Sequence, residues 1–310
     1  MPVLPPRLTE TLEPRLLLSS AVRTGDTLRV YGDAVVDNVI VVGIDAGRDN
    51  VVVTINGTVT NIPVHDLKKV RIFGDTGNDT ITIDNSQATF SIQTYIFAGD
   101  GNDRVRCRQE KDYVEGGNGD DRISLGGGRN FGFGENGADV IDGGGQRDFI
   151  SGGGSADTIS GGGDRDQLQG DNGDDIILGG YTDPTLNDRE GFDENSDDES
   201  GFVGNDGSDL IFGGRGNDTL QGDTAKDVIF GQDGDDLILG NNDRDELFGM
   251  AGNDTIDGGS SRDTIWGGDG DDSLLSGGGG GETHAGEFSQ ISKFIRAIVP
   301  PVANTGNQPS

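Results

Sequence analysis

A chain of 310 residues with 56 glycines, 6% aromatic and 31% hydrophobic side chains cannot fill an ordinary apolar core along its whole length. Its formal net charge of -32 makes phosphate backbones and anionic lipid surfaces poor partners and leaves cations as the natural counter-ligand. The single Cys107 allows no internal disulfide, and no apolar run approaches the roughly 20 residues that a helical membrane span needs.

Residues 1–23 contain one apolar run, Leu16-Leu17-Leu18, too short for the hydrophobic region of a secretory signal. The stretch Leu12-Glu13-Pro14-Arg15-Leu16-Leu17-Leu18 resembles the LEPR-XLL segment found near the start of many bacterial exported or surface proteins, and the resemblance implies export. Residues 24–73 hold β-branched runs (TLRVY, VVDNVIVVGI, NVVVTING, KVRIFG) separated by turn residues. Asn56-Gly57 supplies the positive φ angles of a tight hairpin turn between Thr54 and Val59. This predicts a small β module that caps the first coil, because an open sheet end invites aggregation. The isolated His65 reads as structural or solvated.

From 74 to 275 a nine-residue unit repeats. It is cleanest from Gly213 to Leu275, as GGRGNDTLQ, GDTAKDVIF, GQDGDDLIL, GNNDRDELF, GMAGNDTID, GGSSRDTIW and GGDGDDSLL. Each block opens with Gly, carries Asp sixth and an aliphatic eighth: Leu220, Ile229, Ile238, Leu247, Ile256, Ile265 and Leu274. The frame starts at Gly74, continues in a weaker unit at Ile83 to Ser91, meets six extra residues (Ile92 to Phe97), and then runs from Ala98 to Leu178. Within it Gly132 stands where an inward aliphatic is expected. The acidic stretch that follows reads as two further units, 179–187 and 195–203, around an insertion at 188–194. A second pattern supports that count. Lys111, Arg129, Arg147, Arg165, Lys226, Arg244 and Arg262 hold the fifth place of alternate units, and their phase survives the acidic stretch when both units are counted.

One unit is a tight turn plus a short strand, and two units make a coil of 18 residues, so successive turns alternate between two sides. On one side the fourth residue is mostly Gly and the sixth is Asp79, Asp103, Asp121, Asp139, Asp157, Asp175, Asp218, Asp236, Asp254 or Asp272. Glycine lets carbonyls turn toward a shared point, and carbonyls with carboxylates are hard ligands suited to Ca²⁺ better than to Mg²⁺. No His or Cys cluster offers a zinc site. The chain resembles the haemolysin-type RTX family of calcium-binding nonapeptide repeats. That resemblance implies an all-β fold, a right-handed parallel β-roll of about ten coils, with several calcium ions bound between stacked turns. On the other side Gly is mostly lost from the fourth place. There the expectation is that Lys and Arg lie between the stacked Asp112, Asp148, Asp166, Asp227, Asp245 and Asp263 and take over the charge role of calcium.

Residues 276–310 begin with a Gly run. Glu287 to Val299 then sets Phe288, Ile291, Phe294, Ile295 and Ile298 on one helical face, ended by Pro300-Pro301. This predicts a short C-terminal helix capping the last coil, followed by a disordered tail. The functional expectation is a secreted or surface-associated calcium-binding protein with a structural or adhesive role. Its expected partners are calcium and a cell-surface or matrix polysaccharide or protein. No catalytic residue is expected: Gly132-x-Gly134-x-x-Gly137 falls out of the Gly lattice, Asp193, Asn195 and Asp197 lack the Gly of a calcium loop, and HExxH and GxSxG are absent. The alternative is a polysaccharide-acting enzyme, or a toxin or enzyme fragment that uses the roll for secretion and folding. An enzymatic face would need an aromatic or off-pattern basic patch, and the sequence displays none.

Overall fold

A computed structural model describes residues 19–33, 37–84, 92–108, 111–179 and 208–276, together with the backbone of 282–284. Among these residues every regular element is a strand, and they form two sheets of 13 strands each. No helix among them is long and apolar enough to cross a membrane. The LEPR-XLL-like segment, the acidic insertion and the C-terminal helix expected at Glu287 to Val299 lie outside the described residues.

Each coil contributes one strand to each sheet. A six-residue strand such as Val228–Asp233 leads into a turn with Gly fourth, and a three-residue strand such as Leu237–Leu239 leads into a turn of the Lys/Arg type. Strands stack parallel with partners 18 residues apart, as in Ile229↔Leu247 and Ile238↔Ile256. Because strand side chains alternate, the eighth residue of every unit points between the sheets. Ile229, Ile238, Leu247, Ile256 and Ile265 are completely buried there, in one core that runs from Leu28 to Ile265. Gly132 breaks this file, and its neighbour repairs it. Leu125, at a first place usually held by Gly, is fully buried and puts its Cδ1 2.9 Å from where a Cβ on Gly132 would stand.

At the N-terminal end the same two sheets continue with antiparallel strands. Ser20–Thr24 pairs with Thr27–Tyr31, which lies parallel to Lys69–Thr76. Val39–Ile44, Asn50–Ile55 and Thr58–Pro63 form a meander whose first strand lies parallel to Thr80–Asp84. The hairpin at Asn56-Gly57 forms as expected, with φ of 49° and 80° and Thr54 opposite Val59. These strands share the core of the roll.

The register corrects two details of the repeat frame. Ile92 to Phe97 are not extra: Gln93–Asp100 lies in register with Lys69–Thr76 and Asp112–Asn118, with Ile96 opposite both Ile72 and Val114. The true unit therefore ends at Phe97 and has Thr94 sixth, and the additional residues precede it. Across the acidic stretch, Ile176–Leu178 pairs directly with Thr219–Gln221, and Asp166 bonds to Asp209, 43 residues on instead of 18. No layer therefore stands between those two strands, where a frame with two further units would have put one. Adding or removing two units leaves an alternating phase unchanged, so the phase of the basic residues could not tell the two cases apart.

Candidate metal centre

Both rows of turns are strung together by their sixth residue. On the Gly side, Oδ1 of each Asp accepts the backbone N–H of the Asp one layer earlier: Asp79 to Asp103 (2.6 Å), Asp121 to Asp139 (2.7 Å), Asp175 to Asp218 (2.7 Å), Asp236 to Asp254 (2.9 Å) and Asp254 to Asp272 (3.1 Å). Asp157 continues the same row between Asp139 and Asp175. The structure thus brings all ten Asp expected as ligands into one continuous file. At its N-terminal end Asn38 donates its N–H (2.6 Å) and its Nδ2 (2.9 Å) to Asp79 Oδ1.

The second carboxylate oxygen is the informative one. Oδ2 of Asp79, Asp103, Asp121, Asp139, Asp157, Asp175, Asp218, Asp236 and Asp254 is buried and has no hydrogen-bond donor. A buried anionic oxygen without a donor is costly, so such a row calls for protons or cations. The first-place residue makes room for it: a Cβ on Gly231 would stand 2.2 Å from Asp236 Oδ2. Burial pushes these acids above the usual carboxylate range, partly offset by the N–H bond each accepts. Asp79, Asp103, Asp139, Asp218 and Asp254 rise to about 6, Asp175 and Asp236 to about 7, and Asp121 and Asp157 to about 8.

The fourth residue differs between the two sides. On the Gly side its φ runs from 110° at Gly77 to 143° at Gly234 and Gly252, with Ser155 at 92°. Opposite, Gln146, Asp164, Ala225, Asp243 and Ser261 sit between 70° and 85°. At the larger angles each fourth-place carbonyl faces the next layer, so that Gly216 O would lie 1.7 Å from a Cβ on Gly234. A further ladder runs outside the Asp file on this side. There the fifth residue accepts from the following layer, as Asn102 N–H to Asn78 Oδ1 (2.7 Å) and Asn253 N–H to Asp235 Oδ1 (2.7 Å). Among the described residues no three His, Cys, Asp or Glu side chains converge. A cation on this file would draw on one carboxylate per layer and on main-chain carbonyls, which is a hard-oxygen set fitted to Ca²⁺.

A family profile described as the RTX calcium-binding nonapeptide repeat (4 copies) matches residues 71–82, 97–132, 133–168, 151–181, 203–238, 239–274 and 248–281. The chain belongs to that family. No curated protein matches it closely enough to count as a relative. The RTX repeats of this chain thus wind into two parallel sheets with a buried carboxylate file along the Gly-side turns.

The second row corrects an expectation. Asp148, Asp166, Asp227, Asp245 and Asp263 also bury an Oδ2 without a hydrogen-bond donor, and every fifth-place Lys or Arg is exposed. These cations do not lie between the stacked carboxylates. A chain leaving the turn at the fifth place points its side chain outward: Lys226 reaches Glu246 Oε1 at 2.5 Å, and Lys111 lies 5.1 Å from the Phe131 ring centre. Burial raises Asp148, Asp166 and Asp227 to about 9. Burial also lifts Asp209 and Asp245 to about 7, with Arg165 and Lys226 as weaker opposing influences. The double variant Arg244→Gln/Arg262→Gln is therefore expected to shift urea unfolding in saturating calcium by no more than about 0.5 kcal/mol, as ordinary surface substitutions do. A loss of several kcal/mol would restore the bridging role.

Proposed function

We propose that this RTX protein is a calcium-folded structural or adhesive module working outside the cell or at its surface. The observation that carries the reading is the uninterrupted file of donor-less Oδ2 atoms from Asp79 to Asp254, with Asp272 at its end. Calcium bound to these Asp and to neighbouring turn carbonyls neutralises carboxylates that the fold has taken out of water. A ligand held only by the folded state stabilises it at every site, so many weak sites add up. Affinities of about 10⁻⁴–10⁻³ M, usual for extracellular modules, suffice outside the cell and fail in a low-calcium cytoplasm. The LEPR-XLL-like segment agrees with export. The reading contains no catalytic step, since the repeated carboxylates are accounted for by the ladders they build. Its adhesive partner is a polysaccharide or protein of the cell surface or matrix.

The test is a calcium titration of EDTA-stripped protein followed by far-UV circular dichroism, with Mg²⁺ as control. A cooperative gain of β signal with calcium alone is the expected result. A fully folded protein in EDTA at neutral pH, unchanged by calcium, would overturn the reading.

A further inference from the structure

A second apolar cluster stands on the outward face of the long-strand sheet, away from the aliphatic core. Phe212, Phe230, Phe248 and Trp266 are in register there and stack with ring centres 5.2, 4.7 and 4.7 Å apart. Leu210, Val228 and Met250 flank them. Their neighbours Ile229 and Leu247 point into the core, so these rings point out. Yet Phe230 is 2% exposed and Phe248 1%, while Phe212 and Trp266 at the ends are half-buried. Stacking hides the faces of a ring and flanking side chains hide its sides. The outer edge of a ring that stands on a sheet is the part its neighbours cover least, so the closed-off Phe230 and Phe248 mark the middle of the ladder as an apolar face fitted to a cover.

We propose that the occupant is residues 287–299 of this chain, laid along the ladder as an amphipathic helix across the strands rather than over the end of the roll. Phe288, Ile291, Phe294, Ile295 and Ile298 supply an apolar face of the right kind. The reach fits. Backbone pairing places His284 beside Trp266, at the end of the ladder. A 13-residue helix at 1.5 Å per residue is about 20 Å long. Four strand spacings of about 4.8 Å, from His284 to Phe212, come to about 19 Å. Charge fits as well: Lys293 and Arg296 are the only charged residues from 288 to 299, on a chain of net charge -32.

Hydrogen exchange on the calcium-saturated full chain is the first test. Amides of 287–299 are expected to be protected, and Phe248→Ala, which spares the aliphatic core, is expected to remove that protection. Exchange at the rate of the isolated peptide, or protection that survives Phe248→Ala, overturns the proposal. Trp266 is the only tryptophan and gives a second readout. Phe294→Asp is expected to red-shift its emission and increase acrylamide quenching with the far-UV β signal unchanged, whereas Ser289→Asp on the opposite helical face changes neither. No response to Phe294→Asp overturns the proposal. So does quenching that depends on protein concentration, which would identify a second copy as the cover, or a response to Phe202→Asp in its place, which would identify the acidic segment.

Discussion

Alanine at Gly234 is expected to split the roll in two, with a loss above about 4 kcal/mol in urea unfolding at saturating calcium. The backbone there has φ of 143°, which L-residues rarely adopt, and the new Cβ would fall 1.7 Å from Gly216 O and 2.6 Å from its carbonyl carbon. Relief means moving the carbonyl that faces the neighbouring layer, so the packing strain and the loss of a proposed calcium ligand coincide. Stacked repeats draw stability from their immediate neighbours, and a faulty layer in the middle uncouples the two halves. The other side provides the control. Gln146→Ala, at φ of 72°, is expected to stay within about 0.5 kcal/mol, since Ala225 already holds the equivalent place at 76°. Equal effects of the two substitutions would mean that the fourth-place geometry has no bearing on the Gly-side Asp file.

Without calcium, the protein is expected to be folded in mild acid and to unfold as the pH rises, the reverse of ordinary acid denaturation. From Asp79 to Asp254 on the Gly side, and at Asp148, Asp166, Asp209, Asp227 and Asp245 opposite, burial raises the folded pKa above the ordinary 3.8, from about 6 at Asp79 and Asp254 to about 9 at Asp148 and Asp227. A raised folded pKa means that the folded state holds protons which the unfolded chain releases. The resulting stability is full below 3.8, declines as pH rises, and is lost group by group through about 6 to about 9. On the proposed function, calcium competes with those same protons at the Gly-side file. In calcium, therefore, the β signal should persist at the alkaline end, and the calcium needed for half-folding should fall on acidification, as protons take over the neutralisation. High salt screens the exposed carboxylates and leaves the buried ones largely unscreened, which separates general repulsion from the file itself. A β signal in EDTA that does not change across this window would remove protonation from the account.

The repeat, its period of 18 and the Asp file were legible from spacing, and the parallel two-sheet roll from the resemblance to the RTX family. A nine-residue unit with one inward aliphatic has few ways to bury it, and Asp at a fixed place in every layer must stack. The position of the additional residues before Thr94 was not legible, because Ile83 to Ser91 and Ile92 to Phe97 both carry an acceptable apolar pattern and only pairing decides between them. The aromatic ladder escaped notice for a different reason. Phe212, Phe230, Phe248 and Trp266 are spaced by 18, so a frame of nine shows an aromatic in only every second unit, between Gln221, Leu239 and Asp257. Reading the ninth place at the period of the coil finds it at once. The direction of the Lys and Arg side chains had no sequence signal, since alternation fixes which turn a residue occupies and says nothing about whether it leans in or out.

The Asp file has a polarity, and polarity gives the molecule a seed and a growing tip. Each layer hands its N–H to the carboxylate of the layer that follows, so Asp79 is the first acceptor and takes its donors from Asn38, in the N-terminal meander. At the far end Asp272 accepts from Asp254 with no further Asp of the file beyond it. Assembly is expected to resemble the growth of a crystal from a prepared face: Asn38, at the edge of the meander, presents finished donors, each arriving coil docks a carboxylate on the layer before it, and an N–H is exposed for the next. Wear should run the other way, with layers shed from Asp272 inward while the seeded end holds.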